Sequence, residues 1–124
     1  MKTEEQERIH FVTHKGKEVL LVDLSNCSAH EVENLVQIVP VIVTAQPLNS
    51  ILILSDFSGA LFDDDALRTI KEGAVFDKPH VKKSALVGAD SLPPGFYELL
   101  KRFSRREFPI FDTRAEALDW LIKG

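Results

Sequence analysis

The chain has 124 residues, 44% apolar and 27% charged, with a formal net charge of −4 and one cysteine. That length suits a single domain, residues 1–124, around one core. The lone cysteine rules out an internal disulfide, and the overall negative sign disfavours nucleic acid as a partner. No stretch approaches ~18 uninterrupted apolar residues, so no membrane span is expected. The opening MKTEEQERIHF lacks an apolar signal core, which with the lone cysteine sets the expectation of a cytoplasmic protein.

In chain order, the first six or so residues read as loose. RIHFVTHKGKEVLLVDL then reads as a hairpin: Ile9, Phe11 and Thr13 alternate with His10, Val12 and His14, and Lys15-Gly16-Lys17 makes the turn. Val19 to Leu24 is a buried strand. SAHEVENLVQIVPVIVTAQ predicts a helix, opened by a Ser28/Glu31 capping box and carrying Val32, Leu35, Val36, Val39, Ile42 and Val43 at helical spacing. Pro40 should kink it. SILILSDF is a strand, Asp63 to Val75 a helix with Ala66, Leu67, Ile70 and Ala74 inward, and VKKSALVG a strand. Ser91 is expected to cap a helix with Pro93 and Pro94 in its first turn and a stripe of Phe96, Leu99, Leu100 and Phe103. FPIF is a short strand, and a Thr113/Glu116 capping box opens a last helix with Ala117, Leu118, Leu121 and Ile122. After the hairpin, strict β/α alternation implies a mostly parallel five-stranded α/β sheet with right-handed crossovers.

The most chemically suggestive stretch is SDFSGALFDDDALRTI. Asp56 ends a strand, Ser58-Gly59 follows, and Asp63-Asp64-Asp65 opens a helix. Carboxylates at a helix start accept backbone N–H bonds and face the positive end of the dipole, so capping is the plain reading. A hard cation needs several converging oxygens. Asp23, Asp56 and Asp112 each end a strand, and parallel strands place such ends on one edge. A metal-dependent enzyme using Asp56 and the aspartate trio is therefore one alternative.

Elsewhere, Cys27 before the Ser28 cap reads as a packed small residue rather than a reactive thiol. His10 and His14 stand roughly 13 Å apart along a strand, too far to share a metal. His80 has no evident partner. The glycines match no phosphate-binding or dinucleotide fingerprint, and no nucleophile elbow is present. No catalytic residue, metal or cofactor is assigned.

Charge is uneven. Residues 1–77 carry 6 basic and 13 acidic side chains, residues 78–106 carry 7 and 2, and residues 107–124 carry 2 and 4. In the middle segment Lys82, Lys83, Lys101, Arg102, Arg105 and Arg106 form a candidate anion-facing patch, suited at most to peripheral contact with acidic headgroups.

HKGKEVLLVDLS, SILILSDFSGALFD, KPHVKKSALVG and RFSRREFPIFDTRAEALDWL together resemble the SpoIIAA-like family of small STAS-type bacterial proteins, over about His10 to Leu121. The resemblance implies a right-handed β-α superhelix related to the CRAL-TRIO lipid-binding fold, with strands in sequential order and the four helices mainly on one face. It also implies that Asp56-Phe57-Ser58-Gly59 matches the first STAS motif. Asp63-Asp64-Asp65-Ala66 falls on the second motif, whose phosphorylated serine is absent here.

Two non-enzymatic readings follow. One is a binding module for a lipid or other apolar or amphipathic molecule. Its motive is that Leu20, Leu21, Val22, Ile51, Leu52, Ile53 and Leu54 are apolar on both strand faces, so a ligand, a partner or the chain itself must cover the second face. The other is a protein-interaction module acting through the loop of Asp56, Ser58, Gly59, Asp63, Asp64 and Asp65. Finally, Ile38, Val41 and Ala45 lie on a second face of their helix and predict a homodimer.

Overall fold

The structure, a computed structural model, describes residues 7–123. The expectation of a loose start falls mainly on residues 1–6, outside the described residues. Strands β1 (Ile9–His14) and β2 (Lys17–Asp23) form the expected hairpin, with Ile9 opposite Val22 and His14 opposite Lys17. Its turn places Lys15 at φ 50° and Gly16 at φ 84°. Two consecutive left-handed residues match the twist of tightly joined antiparallel strands.

Helix α1 (Ala29–Val43) begins at the complete Ser28/Glu31 capping box and contains Pro40. Strand β3 (Ile51–Asp56) leads to α2 (Asp64–Asp77), which Asp63 caps by accepting the Ala66 N–H. Strand β4 (Val81–Val87), α3 (Phe96–Ser104), β5 (Ile110–Phe111) and α4 (Arg114–Leu121, capped by Thr113) complete the alternation.

The sheet order is β1-β2-β3-β4-β5, antiparallel only between β1 and β2. When crossovers of one hand always step in the same direction, their helices land on the same face. Accordingly α1, α2 and α3 share one core with Leu20, Val22, Ile53 and Leu86. Helix α4 follows the last strand and lies on the opposite face, where Ala117 and Leu121 pack on Val19, Leu21, Leu54, Ala85 and Val87. The apolar second face is therefore covered by the chain's own C-terminal helix, with Trp120 tilted against Phe111.

Three local expectations are corrected. Ser91 does not cap a helix; it lies in a short 3₁₀ turn, Ala89–Ser91, and its hydroxyl accepts the Gly59 N–H at 2.9 Å. Helix α3 starts later, at Phe96, after Gly95 in the left-handed region with no side-chain cap. Only Phe96 and Leu100 of the expected apolar stripe are buried; Leu99 and Phe103 are exposed, because this nine-residue helix touches the core along one narrow line. His80 does have a partner: its Nδ1 lies 2.7 Å from the Gln46 carbonyl oxygen.

Among the described residues, no helix is long and apolar enough to cross a membrane.

Candidate functional site

Two places concentrate polar chemistry, one on each side of the sheet. The first is the edge where the parallel strands end. Asp23 and Asp56 stand opposite each other in the β2–β3 register. Arg114, at the start of α4, reaches both: Nε lies 2.7 Å from Asp56 Oδ2, and a terminal nitrogen 2.9 Å from Asp23 Oδ1. Asp23 also accepts the Ser25 hydroxyl at 2.6 Å and the Ser25 N–H at 3.1 Å. Burial pushes the Asp23 carboxyl up, but those hydrogen bonds and Arg114 outweigh it and hold it below its ordinary range. Arg114 itself is raised by its two carboxylate partners against its own burial. Arg8 adds donations to the Asp23 and Ser25 carbonyls.

The loop after Asp56 is knitted to its neighbours. Asp56 Oδ1 accepts the Ser58 N–H at 2.9 Å, the Ser58 carbonyl accepts the Asn26 N–H at 2.9 Å, and the Cys27 carbonyl accepts the Leu61 N–H at 2.9 Å. Gly59 (φ 71°) and Gly88 (φ 74°) are both left-handed, and a Cβ would strike the Asn26 side chain at the first and Ser58 at the second. Backbone conformation favours glycine at both positions, and at Gly88 the Ser58 backbone leaves no space for a Cβ.

The aspartates of this loop do not converge. Asp63 caps α2, Asp65 pairs with Arg68 at 2.9 Å on the surface, Asp64 is exposed and Asp56 is bound to Arg114. Asp112 lines a separate cleft with Ser58, Gly88 and Asp90. Among the described residues no three His, Cys, Asp or Glu side chains are grouped to hold a metal ion. Cys27 is buried in the core.

The basic residues are also divided. Lys101, Arg102 and Arg105 belong to α3 and its end, with Lys101 over the Tyr97 ring. Lys83 lies across the sheet, its amine over the Trp120 ring and donating to the Trp120 and Lys123 carbonyls at the end of α4. Lys82 borders the same end of α4. Arg106 turns away from the surface patch into the molecule.

That inward turn builds the second place. Between the sheet and the helices lies a partly open cavity of about 80 Å³. Its sheet side is Val22, Leu24, Ile53 and Leu86; its helix side is Val36, Val39, Ile70 and Leu100. At one pole stand Asp77, Ser84 and Arg106. One terminal nitrogen of Arg106 donates to the Ala74 carbonyl at 2.9 Å, the other donates to the Ser84 hydroxyl, and the guanidinium lies over the Phe108 ring. Asp77 is only 5% exposed, and its Oδ1 is buried with no hydrogen-bond partner. Burial pushes its carboxyl up to about 6, against the pull of Arg106 and His80. Burial likewise brings Arg106 down to about 10, with Asp77 opposing. A mainly apolar cavity with a few converging polar groups and displaced pKa values has the physical character of a binding site.

Asp77 was not among the residues singled out from the sequence, although a signal existed. Asp77 continues the buried line Ala66, Ile70, Ala74 at helical spacing. It also carries a negative charge in the last turn of α2, where the helix dipole disfavours one.

No family model, curated protein or solved structure matches the chain.

Proposed function

We propose that this protein is a non-enzymatic binding module that holds a small apolar or amphipathic molecule between its sheet and its helical layer, in a reducing compartment such as the cytoplasm. The observation that carries this reading is the apolar cavity with Asp77 and Arg106 at one pole. The sequential strand order, with three helices on one face, is also what a SpoIIAA-like, CRAL-TRIO-related module would have. The cavity's location moves the motive for a ligand from the second sheet face, now covered by α4, to the first. Native mass spectrometry of protein purified from its host should detect a retained small molecule. Repeated ligand-free preparations that take up neither an apolar dye nor a lipid would count against the reading.

A second reading is a protein-interaction surface at the loop of Asp56 to Asp65. It is favoured by Leu61, which is 64% exposed on a loop held by backbone hydrogen bonds on both sides. Identical partner lists in pull-downs with wild type and with Leu61→Ser/Asp64→Ala would remove it. Self-association through α1 is part of the same proposal, since Val41 is 72% exposed and Ala45 is exposed, while Ile38 is half-buried against the core. Light scattering on wild type and Val41→Glu tests it, a wild-type monomer at tens of micromolar excluding the dimer. Peripheral contact with acidic headgroups would use Lys101, Arg102 and Arg105 beside the exposed Phe103. Equal flotation with neutral and anionic vesicles would sink that idea.

A further inference from the structure

Resting on the cavity as the binding site, we infer that its occupant is a neutral apolar molecule carrying a hydroxyl, which donates its proton to the Asp77 carboxylate. The Asp77 side chain lines the cavity, is 5% exposed, and has one oxygen, Oδ1, sealed in the protein without a partner. A buried carboxylate so poorly satisfied is costly, and a ligand donor on its cavity side lowers that cost.

The surrounding charges narrow the head group further. Arg106 lines the same small cavity, so an ammonium head would meet a like charge there. A carboxylate head would meet Asp77, and two carboxylates close together cannot both ionise cheaply. A hydroxyl avoids both conflicts. It donates to Asp77 and keeps lone pairs for the guanidinium or for the Ser84 hydroxyl, whose oxygen already accepts from Arg106. The carboxyl value of about 6 agrees with this choice, because at neutral pH Asp77 is mostly ionised and acts only as an acceptor.

The cavity adjoins a second hollow: it shares Val36 and Gly73 with a groove between α1 and α2 that is also lined by Pro40 and Phe76. At Gly73 an added Cβ would make ordinary contacts, 3.9 Å from Val36 and 4.0 Å from Pro40.

The probes are phenol, toluene and benzoate, near in shape and different in head group. Binding is measured by backbone amide chemical-shift titration of the full chain at pH 7.5, with the shifts mapped to Gly73, Asp77 and Arg106. Phenol is expected to bind wild type about tenfold or more tighter than toluene, since a hydrogen bond to a charged group is worth that factor. Benzoate should bind more weakly than phenol. In Asp77→Leu, which keeps the volume and removes the acceptor, toluene should equal or exceed phenol. If Asp77→Leu does not fold, Asp77→Asn serves, and the phenol preference should shrink with the lost charge. Equal affinities in wild type, tighter toluene or benzoate, or a phenol preference unchanged by the Asp77 substitution would overturn the hydroxyl inference alone. No binding of any probe at the mapped residues would overturn the cavity reading and this inference with it.

Discussion

The two faces of one sheet are finished in opposite ways. On the α4 face every charge that approaches the apolar contact is matched. Arg114 joins Asp23 to Asp56, His14 and Lys15 meet Asp119, and Lys83 lies over Trp120 and donates to carbonyls at the helix end. On the α1–α3 face the larger core stops short of filling its space, and an unpartnered carboxylate oxygen is left at the edge of the gap. Buried polar groups are normally satisfied, and cores are normally close-packed. The α4 face follows the packing rule and departs from the other at one neutral ring nitrogen, His10 Nδ1, which is buried opposite Leu21 without a partner. The other face breaks both rules at the same place, which is how a site differs from a scaffold.

Breaking the matched face should have the largest effect. Arg114→Met leaves Asp23 and the buried Asp56 side by side with Arg8, 3.8 Å from Asp23 Oδ1, as the remaining cation. Removing one member of a buried ionic group costs about 3–5 kcal/mol, and the partial exposure of Arg114 puts the loss near the lower end, at about 3 kcal/mol in urea unfolding. The pH dependence follows from Asp23. Its carboxyl is depressed in the folded state, so its contribution is present above about pH 4 and is lost as pH falls through the folded value. Without Arg114, acid unfolding should begin at higher pH. An unchanged stability would mean that the α4 face does not depend on its charges.

The opposite sign is expected on the other face. Asp77 has a raised carboxyl, so its contribution to stability is complete below 3.8 and is lost as pH rises through about 6. At neutral pH the protein therefore carries a penalty of about 3 kcal/mol before screening, and solvent at the open side of the cavity reduces it. Asp77→Asn should gain ~1–2 kcal/mol at pH 7.5, and that gain should vanish near pH 4. Arg106 and, where protonated, the His80 ring are the neighbours that moderate it. A destabilised variant at pH 7.5 would mean that the carboxylate is satisfied in solution. A residue kept at the expense of stability is the usual mark of function.

A smaller test asks whether the groove beside the cavity is as roomy as its geometry. Gly73→Ala should stabilise the protein by about 0.5–1 kcal/mol through helix propensity, because its Cβ makes only ordinary contacts. A loss instead would mean that α1 and α2 close more tightly. The smallest effect is expected from Asp119→Ala. The His14 and Lys15 contacts lower the Asp119 carboxyl, yet the group lies on the surface, and the thermal midpoint should barely move.

The amino-acid sequence by itself determined the element order and its boundaries to within a few residues, because those depend on neighbours along the chain. The Ser28/Glu31 box, the Lys15-Gly16 turn, the Asp63 and Thr113 caps and the alternating strands all act over at most four or five positions. The α3 start was less legible, since Ser91, a plausible cap by pattern, is engaged by Gly59 from a distant loop. Only the tertiary structure decided what covers the second face, which aspartates meet and where Arg106 points. Asp56 and Arg114 are 58 positions apart, and Asp77, Ser84 and Arg106 come from a helix, a strand and a loop. Arg106 follows the helix whose charged face it seemed to extend, but Arg105 at φ 55° turns the backbone, and the guanidinium goes inward to Ala74 and Ser84. Charge is equally visible in a sequence whether it meets water or the core. Its surroundings are set by packing between segments distant in the chain, and those surroundings decide what a charged side chain does.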